Sequence, residues 1–211
     1  ERCFMKIITI SREFGSGGRE LGKRMSDILG YDYYDREIIS AIAEKSGFDE
    51  NYIKDMTEKK LRVSIPISYG RTMYYEPYIN TNAEKILAAQ SSTIREIADQ
   101  GRDCVIIGRG ADVILSQYNP VNIFVYADMD FRVKRCLEYS ENEKEMSEKK
   151  IIKKIKEIDS ARASFHSFLS ESKWGRKENY NLCINTTGLQ IKNLAPIIAE
   201  YADIMFKQKK V

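Results

Sequence analysis

Apolar residues along this 211-residue chain recur with two different periods. Short runs rich in β-branched residues read as buried strands: Ile7-Ile-Thr-Ile10, Cys104-Val-Ile-Ile107, Val121-Asn-Ile-Phe-Val-Tyr126 and Leu182-Cys-Ile-Asn185. The extended piece Tyr31-Asp-Tyr-Tyr34 adds a short fifth. Between them the spacing turns helical. Leu21, Met25, Ile28 and Leu29 give the segment after the first strand one apolar face, and helices are predicted over about 36–45, 82–99, 131–138 and 191–206. Strands alternating with helices imply an α/β fold, a parallel sheet covered on both faces. Ligands of such sheets bind beyond the carboxyl ends of the strands. Those ends carry Arg12 to Arg19, Asp35-Arg36-Glu37, Gly108-Arg-Gly-Ala-Asp112, Asp128 and Asn185-Thr-Thr187. Charged and Gly-bearing loops converging there are hard to assign to packing.

Two segments interrupt the alternation. Residues 47–80 hold a helical piece and then a tyrosine-rich stretch around Arg71. An irregular segment this long in a compact domain is usually functional or mobile. Its tyrosines could stack on a base and Arg71 pair a phosphate or carbonyl; the alternative is a lobe with its own small core. The second interruption is a helix predicted over about 144–169, with a stripe of Ile151, Ile152, Ile155 and Ile158 among interleaved lysines. Such charge usually marks a solvated face. Asp159 and Arg162 lie three apart, hence on one face of it, and Trp174-Gly-Arg176 reads as a turn after it.

The candidate chemistry starts at Glu13-Phe-Gly-Ser-Gly-Gly-Arg-Glu20, directly after the first strand. Strand, Gly-rich turn and helix N-terminus together form an anion cradle: glycines allow close approach, N–H groups point inward and the helix dipole favours negative charge. In the register of the Walker A motif, Glu13 replaces the first glycine and Arg19 the lysine, while Glu20 and Leu21 stand where a magnesium-binding hydroxyl is expected. Arg19 keeps the charge and adds a bidentate fork for phosphate oxygens. The alternative is a turn with no ligand.

Composition narrows the field. With 43% hydrophobic and 31% charged residues the chain is an ordinary globular protein of one domain, and a net charge of +3 gives no support to nucleic-acid binding. No apolar run approaches the roughly 20 residues that span a bilayer, and no signal-peptide pattern appears. Four cysteines without a CxxC pair, beside a single histidine, argue against metal clusters and disulfides and suit a reducing cytoplasm. His166 falls on the 144–169 helix and reads as exposed or partly packed; Trp174 reads as packing, and Asp128 as a helix N-cap.

Taken together, the chain resembles the cytidylate kinase-like family of P-loop nucleoside monophosphate kinases. The resemblance rests on Thr9-Ile-Ser-Arg-Glu-Phe-Gly-Ser-Gly-Gly-Arg-Glu20, Tyr34-Asp-Arg-Glu-Ile38, Cys104-Val-Ile-Ile-Gly-Arg-Gly-Ala-Asp112, Asp159-Ser-Ala-Arg162, Trp174-Gly175 and Asn179-Tyr-Asn-Leu-Cys-Ile-Asn-Thr186. It implies the P-loop NTPase fold: a five-stranded parallel core (about 5–46, 82–142 and 180–211), an inserted NMP-binding lobe (about 47–81) and a helical lid (about 143–179). It also implies phosphoryl transfer from ATP, with Mg²⁺, to a small nucleotide, CMP or dCMP foremost. Gly15, Ser16, Gly17, Gly18, Arg19 and Glu20 would form the donor site. Asp35, Arg36, Arg71, Arg109, Asp112, Asp159 and Arg162 would hold the acceptor, and Arg19, Arg109 and Arg162 would act in transfer.

Three departures from the family pattern stand out. Gly110 occupies the place of an aspartate, with Asp112 two residues on; an additional lid arginine has no counterpart, unless Lys153, Lys156 or Arg176 replaces it; and the magnesium ligands are unassigned, with Glu13, Glu20 or Asp35 as candidates for a hydrated ion. Two other readings stay open: a kinase of a non-nucleotide small molecule on the same fold, and a non-catalytic nucleotide or phosphate sensor. Oligomeric state is open too, a homo-oligomer included.

Overall fold

The computed structural model describes residues 5–35, 37–53, 81–139 and 146–209. Five strands form one parallel sheet in the order β2-β3-β1-β4-β5. They are β1 (Ile7–Arg12), β2 (Asp32–Tyr34), β3 (Cys104–Ile107), β4 (Val121–Tyr126) and β5 (Leu182–Asn185). β1 lies at the centre, Ile7 to Ile10 beside Cys104 to Ile107 on one flank and Ile8 to Arg12 beside Val121 to Val125 on the other. β1 runs two residues past its apolar stretch, so Ser11 and Arg12 are strand residues at the sheet's carboxyl edge.

Among the described residues, seven helices cover the sheet: α1 (Gly18–Leu29), α2 (Glu37–Ser46), α3 (Thr81–Asp99), the single turn α4 (Ala111–Ile114), α5 (Met129–Tyr139), α6 (Glu148–Leu169) and α7 (Ile191–Gln208). The strand period of two sorts side chains between the faces. Ile8, Ile10, Val105 and Ile107 pack with Leu21 and Met25 of α1 and with Ile198 and Ala202 of α7. Ile7, Cys104 and Ile106 pack on the other face with Ile38 and Ile42 of α2 and Ile94 of α3. Ile53, the last described residue before 81, is fully buried in that second core. A third, small cluster joins Val133 and Cys136 of α5 to Ile151 and Ile155 of α6, with Phe14 against it. That cluster seats α6 over the Gly-rich loop.

α1 approaches the sheet closely because Gly22 faces it: a Cβ there would lie 2.3 Å from Ile107 Cδ1. The cysteines among the described residues, Cys104, Cys136 and Cys183, are free thiols. Burial pushes the Cys104 thiol up to about 12, the behaviour of a core residue rather than a nucleophile.

Candidate active site

The Gly-rich loop leaves the end of β1 through two left-handed glycines, Gly15 at φ 81° and Gly17 at φ 86°, and Gly17 caps α1 without any side-chain hydrogen bond. Gly17 as cap thus offers the first-turn amides of α1 no side-chain acceptor, as an anion cradle requires. Ser16 is buried within the loop: its Oγ donates to Glu13 O (2.9 Å) and Val125 O (3.1 Å), and its carbonyl accepts from Thr186 Oγ1 (2.7 Å). Its hydroxyl thus holds the loop to β4, and its carbonyl holds it to the residue after β5.

Arginines then set the loop's electrostatics. Arg132 of α5, almost wholly buried, donates from Nε to Phe14 O (2.7 Å) and from Nη1 to Glu13 Oε2 (3.0 Å), and its Nη2 pairs with Asp159 Oδ2. Asp159 Oδ1 accepts from Phe14 N (2.8 Å) and lies 3.9 Å from Arg162 Nη1. Asp159 thereby ties α6 to the Gly-rich loop. Burial raises the Glu13 carboxyl above its ordinary range against the pull of Arg132. Arg19 pairs with Asp35 at the end of β2 (2.5 Å), while Glu20 accepts from Arg24 Nε (2.8 Å) and pairs with Arg135. Each carboxylate considered for magnesium is thus held by an arginine. No group of three or more His, Cys, Asp or Glu among the described residues is arranged to hold a metal.

Across the loop, beyond the ends of β1 and β3, lies a cavity of about 60 Å³ whose walls include Arg12, Arg109 and Arg162. Arg12, absent from the sequence-derived set, owes its place to the longer β1. Its side chain packs on two glycines: a Cβ on Gly18 would meet Arg12 Cβ at 2.6 Å, and one on Gly108 would meet Nη1 at 1.7 Å. Arg162 Nη1 donates to Arg12 O (2.8 Å). Burial, with Arg162, Arg109 and Arg19 nearby, holds the Arg12 guanidinium well below its ordinary value, against the opposing pull of Asp35. Arg109 adopts a left-handed backbone (φ 58°) between Gly108 and Gly110, both also left-handed. A strained non-glycine residue at a loop of this kind needs outside support, and Gln90 Nε2 supplies it by donating to Arg109 O (2.7 Å).

Gly110 now has a physical reason. A Cβ there would lie 2.2 Å from Leu169 Cδ1 at the end of α6, and its φ is +65°. Asp112 in α4 is buried on the cavity wall, its Oδ2 3.3 Å from His166 Nε2. His166 is correspondingly buried, which corrects the expectation of an exposed or partly packed surface histidine; Nδ1 lies 3.2 Å from Ser172 O. Trp174 does pack, edge-on against Phe124 (5.2 Å), and it also lines the cavity. Lys153 and Lys156 are exposed, and Arg176 pairs with Glu178 (2.9 Å); none of the three lines the cavity. Asp128 precedes α5, its carbonyl accepting from Arg132 N (3.0 Å). Arg36, Arg71 and the tyrosine-rich stretch lie outside the described residues.

A second cleft, of about 460 Å³, opens on the other side of the loop between α5 and the start of α7, with Phe131, Arg135, Tyr139, Leu189 and Gln190 on its walls. Arg135 stacks over the Tyr139 ring at 4.7 Å. A Cβ on Gly17 would meet Ile191 at 2.9 Å and Arg135 at 3.2 Å, so cleft and loop adjoin.

A sequence profile described as the cytidylate kinase-like family matches residues 7–188. The chain belongs to that family. The match spans the cradle, the arginine-walled cavity and α6, and with the fold it supports a P-loop kinase, a phosphotransferase. Among solved structures, an uncharacterized protein from Eubacterium ventriosum is 26% identical with a TM-score of 0.68, covering 94% of this chain and 99% of its own. Shikimate kinase from Acinetobacter baumannii, in complex with shikimate, aligns at 13% identity and a TM-score of 0.55 over 97% of this chain and 95% of its own. Shikimate kinase from Bacteroides thetaiotaomicron aligns at 14% and 0.57 over 94% and 99%. Identities that low establish the shared fold alone. No curated protein matches the sequence. No helix among the described residues is long and apolar enough to cross a membrane.

Proposed function

We propose that this protein transfers the terminal phosphoryl group of ATP to a nucleoside monophosphate, CMP or dCMP foremost. The observation that carries this reading is the clustering of Arg12, Arg109 and Arg162 around one cavity beside the phosphate cradle. Guanidinium groups brought together on one half-buried wall repel one another and favour an anion of high charge density. A phosphate monoester near neutral pH carries close to two negative charges.

In this reading the amides of Gly15, Gly17 and Gly18 and the Arg19 fork hold the donor phosphates, and the cleft beside Arg135 and Tyr139 takes the donor base. Ser16 contributes by fixing the loop, and Glu20 by orienting Arg24 and Arg135. Arg19 exchanges Asp35 for phosphate when the donor binds. The acceptor phosphate is held by Arg12, Arg109 and Arg162. One of its oxygens forms the new bond to the γ-phosphorus while the bond from that phosphorus to the β–γ bridging oxygen breaks, releasing ADP. The attacking oxygen is already anionic, so no general base is needed; the protein supplies alignment and charge stabilisation. Residues 47–81 would cover the acceptor and residues 143–179 act as the lid, excluding water as the site closes.

The small cavity favours one alternative, a compact phosphorylated acceptor that is not a nucleotide. A coupled ADP-release assay across nucleoside monophosphates and small phosphate esters, with Arg19→Ala as control, decides between them. CMP-dependent turnover lost in the variant supports the proposal. Donor binding without turnover on any acceptor refutes it and leaves a phosphate sensor.

A further inference from the structure

Two ionisable side chains that the proposed transfer does not use meet in the wall of the arginine-lined cavity. His166 Nε2 of α6 stands 3.3 Å from Asp112 Oδ2 of α4, and the two side chains keep 3% and 4% of their surface exposed. Side chains buried this deeply serve a ligand through the neighbours they hold in place.

Those neighbours are arginines. Arg162 precedes His166 by four residues, so both lie on one face of α6, about one turn apart. Arg109 precedes Asp112 by three, across the tight turn in which Ala111 N donates to Gly108 O (3.0 Å). The contact between His166 and Asp112 therefore sets how α6 stands against the Arg109 loop. Packing beside it leaves no slack: a Cβ on Gly110 would lie 2.2 Å from Leu169 Cδ1 and 3.4 Å from Phe165 Cε1. His166 also reaches the turn after α6, its Nδ1 lying 3.2 Å from Ser172 O.

Protons decide whether that contact attracts. A carbonyl oxygen only accepts, so Nδ1 carries the proton that faces Ser172 O. Nε2 has no aligned hydrogen-bond partner. A bare Nε2 would turn a lone pair toward a carboxylate oxygen in a buried site, and the two would repel. One further proton on the pair makes the contact attractive. Among the described residues, the charged and titratable groups around the pair are Arg12 of β1, Arg109, Arg162 and Tyr180 ahead of β5. Burial, reinforced by the Asp112 charge, raises the Tyr180 hydroxyl, so it stays neutral; α3 contributes the uncharged Gln90.

We propose that His166 and Asp112 form a proton-bearing clasp that holds Arg162 and Arg109 at the spacing an anion needs, which makes both of them positioning residues. The inference rests on the cavity being the anion site described above. A clasp closed by one bound proton opens as pH rises and the proton leaves. Anion affinity falls with it.

The test is calorimetric binding of sulfate to the full chain from about pH 5 to about pH 9, which spans the range of histidine switches. Sulfate is a dianion throughout, so the probe's own charge does not change. The wild type is expected to lose about 10-fold or more in affinity toward alkaline pH, the worth of one charge-assisted hydrogen bond. His166→Gln offers Asp112 a permanent N–H donor, and Asp112→Asn offers one to Nε2. Each variant should therefore change by less than about 3-fold over the same range. Constant affinity in the wild type overturns the inference. An alkaline loss that persists in either folded variant also overturns it and points to Arg12, whose guanidinium burial and neighbouring cations hold below its ordinary value. Failure of sulfate to bind at any pH overturns the anion site and the inference together. His166 is the only histidine in the chain, so nitrogen NMR of the wild-type ring needs no assignment. A proton on Nδ1 supports the clasp; an Nδ1 without one overturns it even if neither variant folds.

Discussion

Arg12 holds a cation where burial and like charges oppose it, and the fold tolerates it against two glycines. A group kept at such cost to stability should show opposite effects on activity and folding. Arg12→Met is expected to lower kcat/KM by about 10³, about 4 kcal/mol of transition-state stabilisation, the low end of the range for an arginine acting on a moving phosphoryl group. The same variant should melt at a higher temperature than wild type, because a repelled charge is gone. Loss of activity with a lower melting temperature would make Arg12 a packing residue instead. Glu20 gives a second test. Burial pushes its carboxyl up, yet bonds from Arg24 and Arg135 outweigh that, and its pKa sits below the ordinary value of 4.5. A depressed acid adds stability above that value and loses it as pH falls through the folded-state pKa. Glu20→Gln should therefore flatten the acid limb of a denaturation–pH curve below about pH 4.5 and lower stability at neutral pH. Arg109 and Asp112 could be named from the motif around them. Arg12 lies in the Thr9–Glu20 motif but could be given no task from it, because the apolar run stops at Ile10 while hydrogen bonding carries β1 on to Arg12.

At the scale of elements, β3 and β4 were readable to the residue because parallel strands buried on both faces need continuous apolar runs, and the half-buried edge strand β5 was readable from its short Leu182-Cys-Ile run. Helix starts were less so: α5 begins at Met129, where a charged first turn hides its onset. The i, i+3 spacing of Asp159 and Arg162 gave their shared face of α6, but their tasks come from tertiary contacts. Arg162 reaches the cavity, and Asp159 meets Arg132 and the Phe14 amide. Arg132→Met should cost about 2–3 kcal/mol in denaturant unfolding. That is below the usual figure for breaking a buried pair, because Glu13 and Asp159 keep some contact with water. Gly22 offers a sharper contrast. Helix propensity alone predicts that Gly22→Ala stabilises by about 1 kcal/mol. The added methyl would press on Ile107 and Ile10, so the variant should instead be less stable than wild type by roughly 1 kcal/mol, overpacking outweighing propensity. A gain in stability would mean α1 can shift outward.

Over the whole molecule, the strand order sets the division of labour. β1 delivers the loop at the centre; β3 on one flank and α6 above bring the arginine-walled cavity, while β5 and α5 on the other bring the cleft beside Arg135. Donor and acceptor should therefore bind separately, each to its own site. Either ATP or CMP alone should raise the melting temperature, by the equivalent of about 2.7 kcal/mol at 100 times its Kd. Arg19→Ala should weaken the ATP effect and spare that of CMP; a loss of both would point to one merged site.

The contact between Arg12 and Gly108 reaches into how such a chain can change over generations. With the guanidinium in place, no side chain fits at 108. Positions 12 and 108 are therefore sterically coupled: Gly108→Ala should be more harmful in the wild-type background than in Arg12→Ala, where only the left-handed backbone still resists it. A lineage that first lost the arginine would find the glycine free to drift, and the way back closed once it had.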